Sequence, residues 1–118
     1  MKTEIKKQGG TIVVSMNGRL DFETNIPLRE ELDKLVRTQR TDSTARIIFN
    51  LENLEFVGSS GISSFIQTMK EFNSGSETKP VYCNVKSEFK RVIKAFDDEQ
   101  QFEFHDNEER AKRSFSTN

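Results

Sequence analysis

The sequence predicts an α/β fold: a small, mixed and mostly parallel sheet with helices packed mainly on one face. Short β-branched runs alternate with segments whose apolar residues recur every three or four positions. Strands separated by single helices are joined by crossovers, which make neighbouring strands parallel. The 118 residues match one ordinary domain, so we expect a single domain over residues 1–118 with its core at about 3–115.

Two strands are predicted at the start of the chain. The first covers about Thr3–Lys7, and Gly9-Gly10 supplies the turn that follows. The second covers Thr11–Asn17, which is rich in β-branched residues. We expect Asn17-Gly18 to break this strand and Arg19-Leu20-Asp21 to lead into a loop.

Helices and strands alternate in the rest of the chain. A helix is predicted at about Asn25–Arg40, because Pro27 suits a first turn and leucines follow at helical spacing. Arg46–Leu51 is predicted as a buried central strand. A second amphipathic helix is predicted at Ser60–Asn73, with its apolar stripe in the core. The remaining predicted elements are a strand at Pro80–Val85, a helix at Glu88–Phe96, a strand at Phe102–His105 and a final helix at Glu108–Phe115.

The charge and cysteine content narrow the class of protein. The formal net charge is −1 and the cations are scattered, so no global field favours nucleic acid or an anionic membrane. Cys83 is the one cysteine and cannot form an internal disulfide, which indicates a reducing compartment. No apolar run follows Met1, so we expect neither a signal peptide nor a membrane-spanning helix. The prediction is a cytoplasmic protein that meets a membrane only through a partner.

Catalytic and metal sites are not indicated. The turn Gly58-Ser59-Ser60-Gly61 lacks the Gly-x-Ser-x-Gly spacing of a nucleophile elbow, and His105 has no triad context. One Cys and one His give no metal cluster, and no glycine-rich phosphate motif occurs. We therefore predict a binding protein with no metal and no cofactor, and not an enzyme. Cys83 is expected to be a small buried hydrophobe, and His105 a surface or strand-end residue.

The two serines of this turn stand just before the second amphipathic helix. Their ordinary role there would be to satisfy unpaired helix N–H groups. A phosphate at the same place would meet free N–H donors and the positive end of the helix dipole. It would add about −1.5 to −2 charges while leaving the fold intact. A modification of this kind would act mainly on a partner.

Several motifs resemble those of the STAS domain. Asn50–Ile62 (Asn-Leu-Glu-Asn-Leu-Glu-Phe-Val-Gly-Ser-Ser-Gly-Ile) resembles the family pattern, in which a strand ends in Asp/Asn-Leu and Phe-hydrophobic-Asp-Ser-Ser/Thr-Gly-Leu/Ile follows. Gly18-Arg19-Leu20-Asp21 is similar to the family's Gly-x-Leu-Asp, and Phe89–Phe96 looks like its third helix. Over about residues 3–115 the chain resembles the STAS-domain anti-sigma factor antagonists, which implies the STAS fold.

The resemblance also implies a function and a site. In this family the unphosphorylated protein binds an anti-sigma factor that is a serine kinase, and so releases a sigma factor. The kinase would phosphorylate Ser59, or alternatively Ser60, and a phosphoserine phosphatase would restore the binding form. Asn50 would order the turn at the strand end. The implied partner-binding residues are Asp21, Gly58, Ser59, Ser60, Gly61 and Ile62.

Gly58 departs from the family pattern, which usually has Asp before the phosphoserine. The missing charge can change how a kinase positions the serine, or which kinase uses it. A second reading therefore stays open, in which the chain is a non-phosphorylated STAS subunit of a transport or signalling assembly. Either reading expects a monomer or weak dimer with no nucleic-acid partner.

Overall fold

Strands and helices alternate along the chain in a computed structural model that describes residues 2–8, 10–21, 23, 25–38, 46–74, 79–97 and 102–116. The strands are β1 (Lys2–Gln8), β2 (Thr11–Leu20), β3 (Arg46–Asn50), β4 (Leu54–Phe56), β5 (Val81–Cys83) and β6 (Glu103–His105). The helices are α1 (Asn25–Thr38), α2 (Gly58–Ser74), α3 (Ser87–Phe96) and α4 (Glu108–Ser116). None of the described helices combines the length and the apolar character needed to cross a bilayer.

The strands form one sheet in the order β1-β2-β3-β5-β6, with β4 paired to the end of β2. The β1–β2 hairpin is antiparallel, and β2–β3, β2–β4, β3–β5 and β5–β6 are parallel. Helical crossovers between parallel strands cover the sheet, as the alternation of elements requires. The predicted mixed, mostly parallel α/β fold is confirmed.

The core lies on both faces of the sheet, but mostly on one. Along β2, Ile12 and Val14 point into the large cluster while Val13 points to the opposite face, as strand alternation requires. On that opposite face, Ala111 of α4 packs against Val13, Ile48, Val81 and Cys83. The large cluster contains side chains from α1, α2 and α3: Leu28, Leu32, Phe65, Ile66, Met69 and Ile93. The helices therefore pack mainly on one face, with α4 on the other.

The strand predicted to stop at Asn17-Gly18 does not stop there. β2 continues to Leu20, because β4 pairs with its second half in the register Gly18↔Leu54 and Leu20↔Phe56. Gly18 has a φ of 110°, which glycine adopts without steric cost, so the strand passes through this residue. The predicted loop after Asn17 was wrong, and β4 was missed because a three-residue strand carries almost no periodicity.

Smaller differences concern element ends. α2 begins at Gly58, two residues before the predicted start, and β5 and β6 are shorter than predicted. The predicted helix over 25–40 is observed as Asn25–Thr38, and its last two predicted residues lie outside the described part, as does Gly9 of the predicted turn. In the predicted α2 stripe, Phe65, Ile66 and Met69 are buried, and Ile62 and Phe72 are partly buried against the same core.

Candidate functional site

The start of α2 is held against the end of β2 by backbone hydrogen bonds. The N–H of Gly18 donates to the carbonyl of Asn53 at 2.9 Å, and the N–H of Val57 donates to the carbonyl of Leu20 at 2.9 Å. One of these bonds lies at each end of the β2–β4 pairing. The turn that leads into α2 therefore has a fixed position beside Leu20.

Gly61 faces the backbone of β2 at very short range. A Cβ built on Gly61 would lie 2.7 Å from the carbonyl oxygen of Leu20 and 3.1 Å from the Cα of Asp21. Neither atom belongs to a side chain that could rotate away. The helix can approach the strand this closely only because residue 61 has no side chain. The same distances place Asp21 beside the first turn of α2.

Gly58 has a backbone conformation that explains its identity. Its φ is 74°, in the left-handed region that glycine adopts without steric cost. An aspartate tolerates this region better than most residues but still pays a conformational cost. Glycine therefore fits the backbone conformation of residue 58. This fit is independent of any effect that the missing carboxylate has on a partner.

The backbones of Ser59 and Ser60 lie in the first turn of α2, and their side chains are outside the described part of the chain. No acidic residue is present in this first turn. The positive end of the helix dipole is thus not offset by a carboxylate within the helix.

Nearby, Arg19 Nε lies 3.8 Å from Glu55 Oε2, and both side chains are largely exposed. An exposed pair of this kind contributes little to stability.

Exposed apolar side chains flank the turn. Val57 is 43% exposed directly before Gly58, and Ile26 at the start of α1 is 63% exposed. Ile62 is half-buried against the core, so only part of it is accessible to a partner. Val57 was not singled out from the sequence. The alternation of β4, in which Leu54 is buried, places Val57 on the opposite side and could have predicted its exposure.

A groove of about 490 Å³ runs between α1 and α2 next to this turn. Polar side chains line most of it, and Ile26 is the apolar one. The lining residues are Ile26, Arg29, Glu30, Asp33, Ser63, Ser64, Gln67 and Thr68. The groove extends the exposed surface at the start of α2 along the helix.

Asn50 is a buried polar residue at the carboxyl end of β3. Its Oδ1 accepts hydrogen bonds from the N–H of Glu52 at 3.0 Å and from Nδ2 of Asn84 at 3.2 Å. Its Nδ2 donates to Oε2 of Glu108 at 2.5 Å. One side chain therefore joins the strand end, the loop before β4 and the first turn of α4. Asn84 itself has a φ of 56°, a conformation that asparagine tolerates.

The family model for the STAS domain matches residues 2–111. The chain belongs to the STAS domain family. Among curated proteins, this STAS domain is 25% identical over 93 residues to the anti-sigma F factor antagonist of Paenibacillus polymyxa, covering 79% of this chain and 76% of that protein. It is 34% identical over 64 residues to the anti-sigma-B factor antagonist of Staphylococcus aureus strain NCTC 8325, a match that covers 54% of this chain and 56% of that protein.

Solved structures share the fold of this STAS domain. The anti-sigma factor antagonist SpoIIAA in its unphosphorylated form has a TM-score of 0.66 and 20% identity, over 99% of this chain and all of that one. Its phosphorylated form has a TM-score of 0.62 and covers 96% of this chain and 99% of that one, also at 20% identity. A murine Solute Carrier 26 anion transporter contains the same fold, with a TM-score of 0.72 and 16% identity over 96% of this chain and 19% of the transporter.

The remaining candidate residues of this STAS domain, Cys83 and His105, lie on β5 and β6. Cys83 is buried, and burial together with the carboxylates of Glu108 and Glu52 raises the pKa of its thiol to about 12. His105 ends β6, and its Nε2 lies 2.8 Å from Oε2 of Glu103. Within the described residues, no group of three His, Cys, Asp or Glu side chains could hold a metal ion.

Proposed function

We propose that this STAS domain is an anti-sigma factor antagonist, whose unphosphorylated form binds a cytoplasmic anti-sigma serine kinase and thereby releases a sigma factor. The observation that carries the proposal is the exposed start of α2. There the backbone of Ser59 lies beside exposed Val57, at a helix N-terminus without an acidic residue. The names of the curated relatives and the fold of SpoIIAA support the same function.

Phosphorylation of Ser59 would switch this surface off. In a complex, Val57 and the accessible part of Ile62 would be covered, so the turn would lose contact with water. A phosphate placed in such a contact adds about two negative charges that the partner must desolvate. In the free protein, the helix N-terminus would accept the phosphate without disturbing the fold. The affinity for the partner would therefore fall while the domain stays folded.

The partner surface proposed here contains Asp21, Gly58, Ser59, Ser60, Gly61 and Ile62, and we add Val57. Gly61 contributes by allowing α2 to approach Leu20 and Asp21. Ser60, the third residue of α2, would lie next to the phosphorylated serine, and a phosphoserine phosphatase would restore the binding form. The whole chain would act as one STAS module in the cytoplasm, as a monomer or weak dimer.

Phosphorylation by an anti-sigma serine kinase of the source organism tests the proposal. With ATP, the kinase should add one phosphate to the wild type and to Ser60→Ala, but none to Ser59→Ala, as read by intact-mass spectrometry. Binding of the same kinase, measured by calorimetry, should weaken at least about tenfold on phosphorylation, a change of about 1.4 kcal/mol. A Ser59→Ala variant that still gains the phosphate, or a phosphorylated protein that binds unchanged, would contradict the proposal.

A second candidate function is a non-phosphorylated subunit of a transport or signalling assembly. Gly58 in place of the usual acidic residue favours it, as does the shared fold with a domain of the Solute Carrier 26 transporter. In that case the kinase would neither bind nor modify the chain. The intact-mass experiment above therefore separates the two functions.

A further inference from the structure

Helix α3 carries a row of lysines on its exposed side. Lys86, Lys90 and Lys94 recur at four-residue spacing, which places them on one side of the helix. Nζ of Lys90 and Nζ of Lys94 lie 5.6 and 5.9 Å from the ring centroid of Phe104, and Nζ of Lys86 lies 5.9 Å from that of Phe89. Contact with the rings orients the ammonium groups, and the weak cation–π attraction leaves their charge available.

Carboxylates close to this row of lysines form contacts with other groups. Oδ2 of Asp97 accepts a hydrogen bond from the N–H of Phe102 at 2.8 Å, and Oε2 of Glu103 lies 2.8 Å from His105. None of the ion pairs among the described residues includes Lys86, Lys90, Lys94 or the neighbouring exposed Arg91. Residues 86–96 contain these four cations and one carboxylate, Glu88, although the whole chain has a net charge of −1.

Lys86 occupies a position that is unfavourable for the helix itself. It is the N-cap of α3, with φ −60° and ψ 140°, and its side chain makes no capping hydrogen bond. Ser, Thr, Asp and Asn are the residues that stabilise this position, and a cation at the positive end of the helix dipole is disfavoured. Residues that break a local rule of this kind are found preferentially at functional sites.

An exposed aromatic ring ends the same helix. Phe96 is 52% exposed, whereas Ile93 of the same helix is buried in the core. The carbonyl of Phe96 accepts a hydrogen bond from Nζ of Lys70 at 2.8 Å, which brings a further cation to this end. Phe96 follows Ile93 by three residues, so it lies on the core-facing side of α3 and not in the row of lysines.

We propose that this surface, the α3 basic face (Lys86, Lys90, Arg91 and Lys94), binds an acidic segment of a partner protein. One turn of an α-helix rises 5.4 Å, so carboxylates at four-residue spacing on a partner helix match the lysine spacing. With a net charge of −1 the chain has no broad basic field of the kind that duplex DNA or an anionic membrane attracts, so a short local row of cations favours a short acidic segment. Helix α3 also has too little exposed apolar surface to insert into a bilayer. This interaction is separate from the switch at Ser59.

Titration of the ¹⁵N-labelled full chain with a synthetic peptide tests the proposal. The peptide carries Glu at four-residue spacing, and a second peptide has Gln in place of each Glu. We expect amide shifts concentrated at residues 86–96 and at Phe104, with the Glu peptide only, and weaker binding at higher salt. Shifts confined to other parts of the chain, or equal shifts with the Gln peptide, would overturn the proposal.

Charge reversal supplies the matched comparison. The double variant Lys90→Glu/Lys94→Glu should bind the Glu peptide about tenfold more weakly, as expected when attractive pairs become repulsive. Lys6→Glu/Lys7→Glu makes the same change of charge at two exposed lysines of β1, at the other edge of the sheet, and should bind as the wild type does. Equal losses in both proteins would indicate a general charge effect and would contradict a specific face. Tighter binding of phosphatidylglycerol vesicles or of a DNA duplex than of the peptide would also contradict the choice of an acidic protein segment.

Discussion

Gly61 and Leu20 approach so closely that a Cβ on Gly61 would lie 2.7 Å from the Leu20 carbonyl oxygen. That oxygen also accepts the hydrogen bond from the N–H of Val57 at 2.9 Å. A shift of Leu20 to admit a side chain would therefore strain the bond that holds the entry to α2. The position of the serine turn depends on the absence of a side chain at residue 61.

Gly61→Ala should destabilise the domain. Forcing a methyl group against a backbone oxygen costs about 1–3 kcal/mol, and the better helix propensity of alanine returns roughly 1 kcal/mol. We expect a net loss of about 1 kcal/mol, and at most about 2 kcal/mol, in the free energy of unfolding, measured by urea denaturation. Gly10→Ala is the control, because no atom lies within 4 Å of a Cβ at Gly10, and it should be nearly neutral. Equal stability of Gly61→Ala and the wild type would show that the helix can move away from β2.

Asn50→Asp should destabilise the domain through Glu108. The amide Nδ2 that donates to Glu108 Oε2 at 2.5 Å would become a carboxylate oxygen, so two negative groups would meet in a half-buried place. Losing this bond and leaving the acceptor unpaired costs about 1–3 kcal/mol, before any charge repulsion. The change is measured by urea unfolding at neutral pH. Asn53→Asp makes the same chemical change at an exposed residue of the same loop and should be close to neutral.

A second substitution identifies the cause of that loss. Glu108→Gln should be nearly neutral in the wild type, because its amide oxygen can still accept from Asn50. In the Asn50→Asp background, the Gln amide can donate to the new carboxylate and should recover at least about 1 kcal/mol. Additive effects of the two substitutions would show that Asn50 acts without Glu108.

The sequence predicts best those parts of the fold that are long, strongly periodic segments. The α2 stripe of Phe65, Ile66 and Met69 is such a segment, and the short β-branched, apolar run of β3 gives a second signal that is not periodic. By contrast, β4 exists only because Leu54–Phe56 pairs with the second half of β2, and that pairing depends on contacts far apart in sequence. For the same reason, sequence reasoning could not join Asn50 to Glu108, which stand 58 residues apart.

The candidate site likewise has some features that the sequence predicts and others that only the folded structure shows. Its serines and glycines are recognisable because a turn chemistry and a family motif both occur within a few residues. The α3 basic face is partly of this kind, since its lysines recur at four-residue spacing along a predicted helix and so predict a row. The hydrogen bond from the N–H of Phe102 to Asp97 is different, because it depends on how the chain turns between α3 and β6 and has no sequence signal.

Alkaline pH should destabilise the domain through Cys83. The pKa of this buried thiol rises from its usual 9.0 to about 12, first because of burial and then because of nearby Glu108 and Glu52. Above pH 9 the unfolded chain therefore binds fewer protons than the folded chain, so stability falls with rising pH and the loss continues to about pH 12. Between pH 9 and pH 10 this loss amounts to about 1 kcal/mol.

Cys83→Val isolates this contribution. Valine suits a buried strand position and has no proton to lose, so the variant should lack this part of the pH dependence. Burial also raises the pKa of Tyr82, which weakens the domain at still higher pH in both proteins and so cancels in the comparison. Urea midpoints at pH 7.5 and about pH 10 give the measurement. Parallel pH profiles of the wild type and the variant would show that the thiol does not control alkaline stability.

Lys86→Ser should stabilise the domain and weaken the α3 basic face at the same time. The backbone of Lys86 already has the extended conformation of an N-cap, and its carbonyl accepts the first helical bond, from the N–H of Lys90 at 2.9 Å. A serine hydroxyl there can accept from an unpaired N–H of the first turn, which is worth about 1 kcal/mol in the free energy of unfolding.

Lys94→Ser provides the comparison of opposite sign. It removes the same charge, but from the last turn of α3, where a cation is favourable and serine is a weaker helix former. This variant should lose about 0.5–1 kcal/mol in stability. Both variants should bind the Glu peptide more weakly, so that stability and binding change in opposite directions only for Lys86→Ser. If Lys86→Ser gained stability while binding the peptide as the wild type does, Lys86 would be a poor cap without a role in binding.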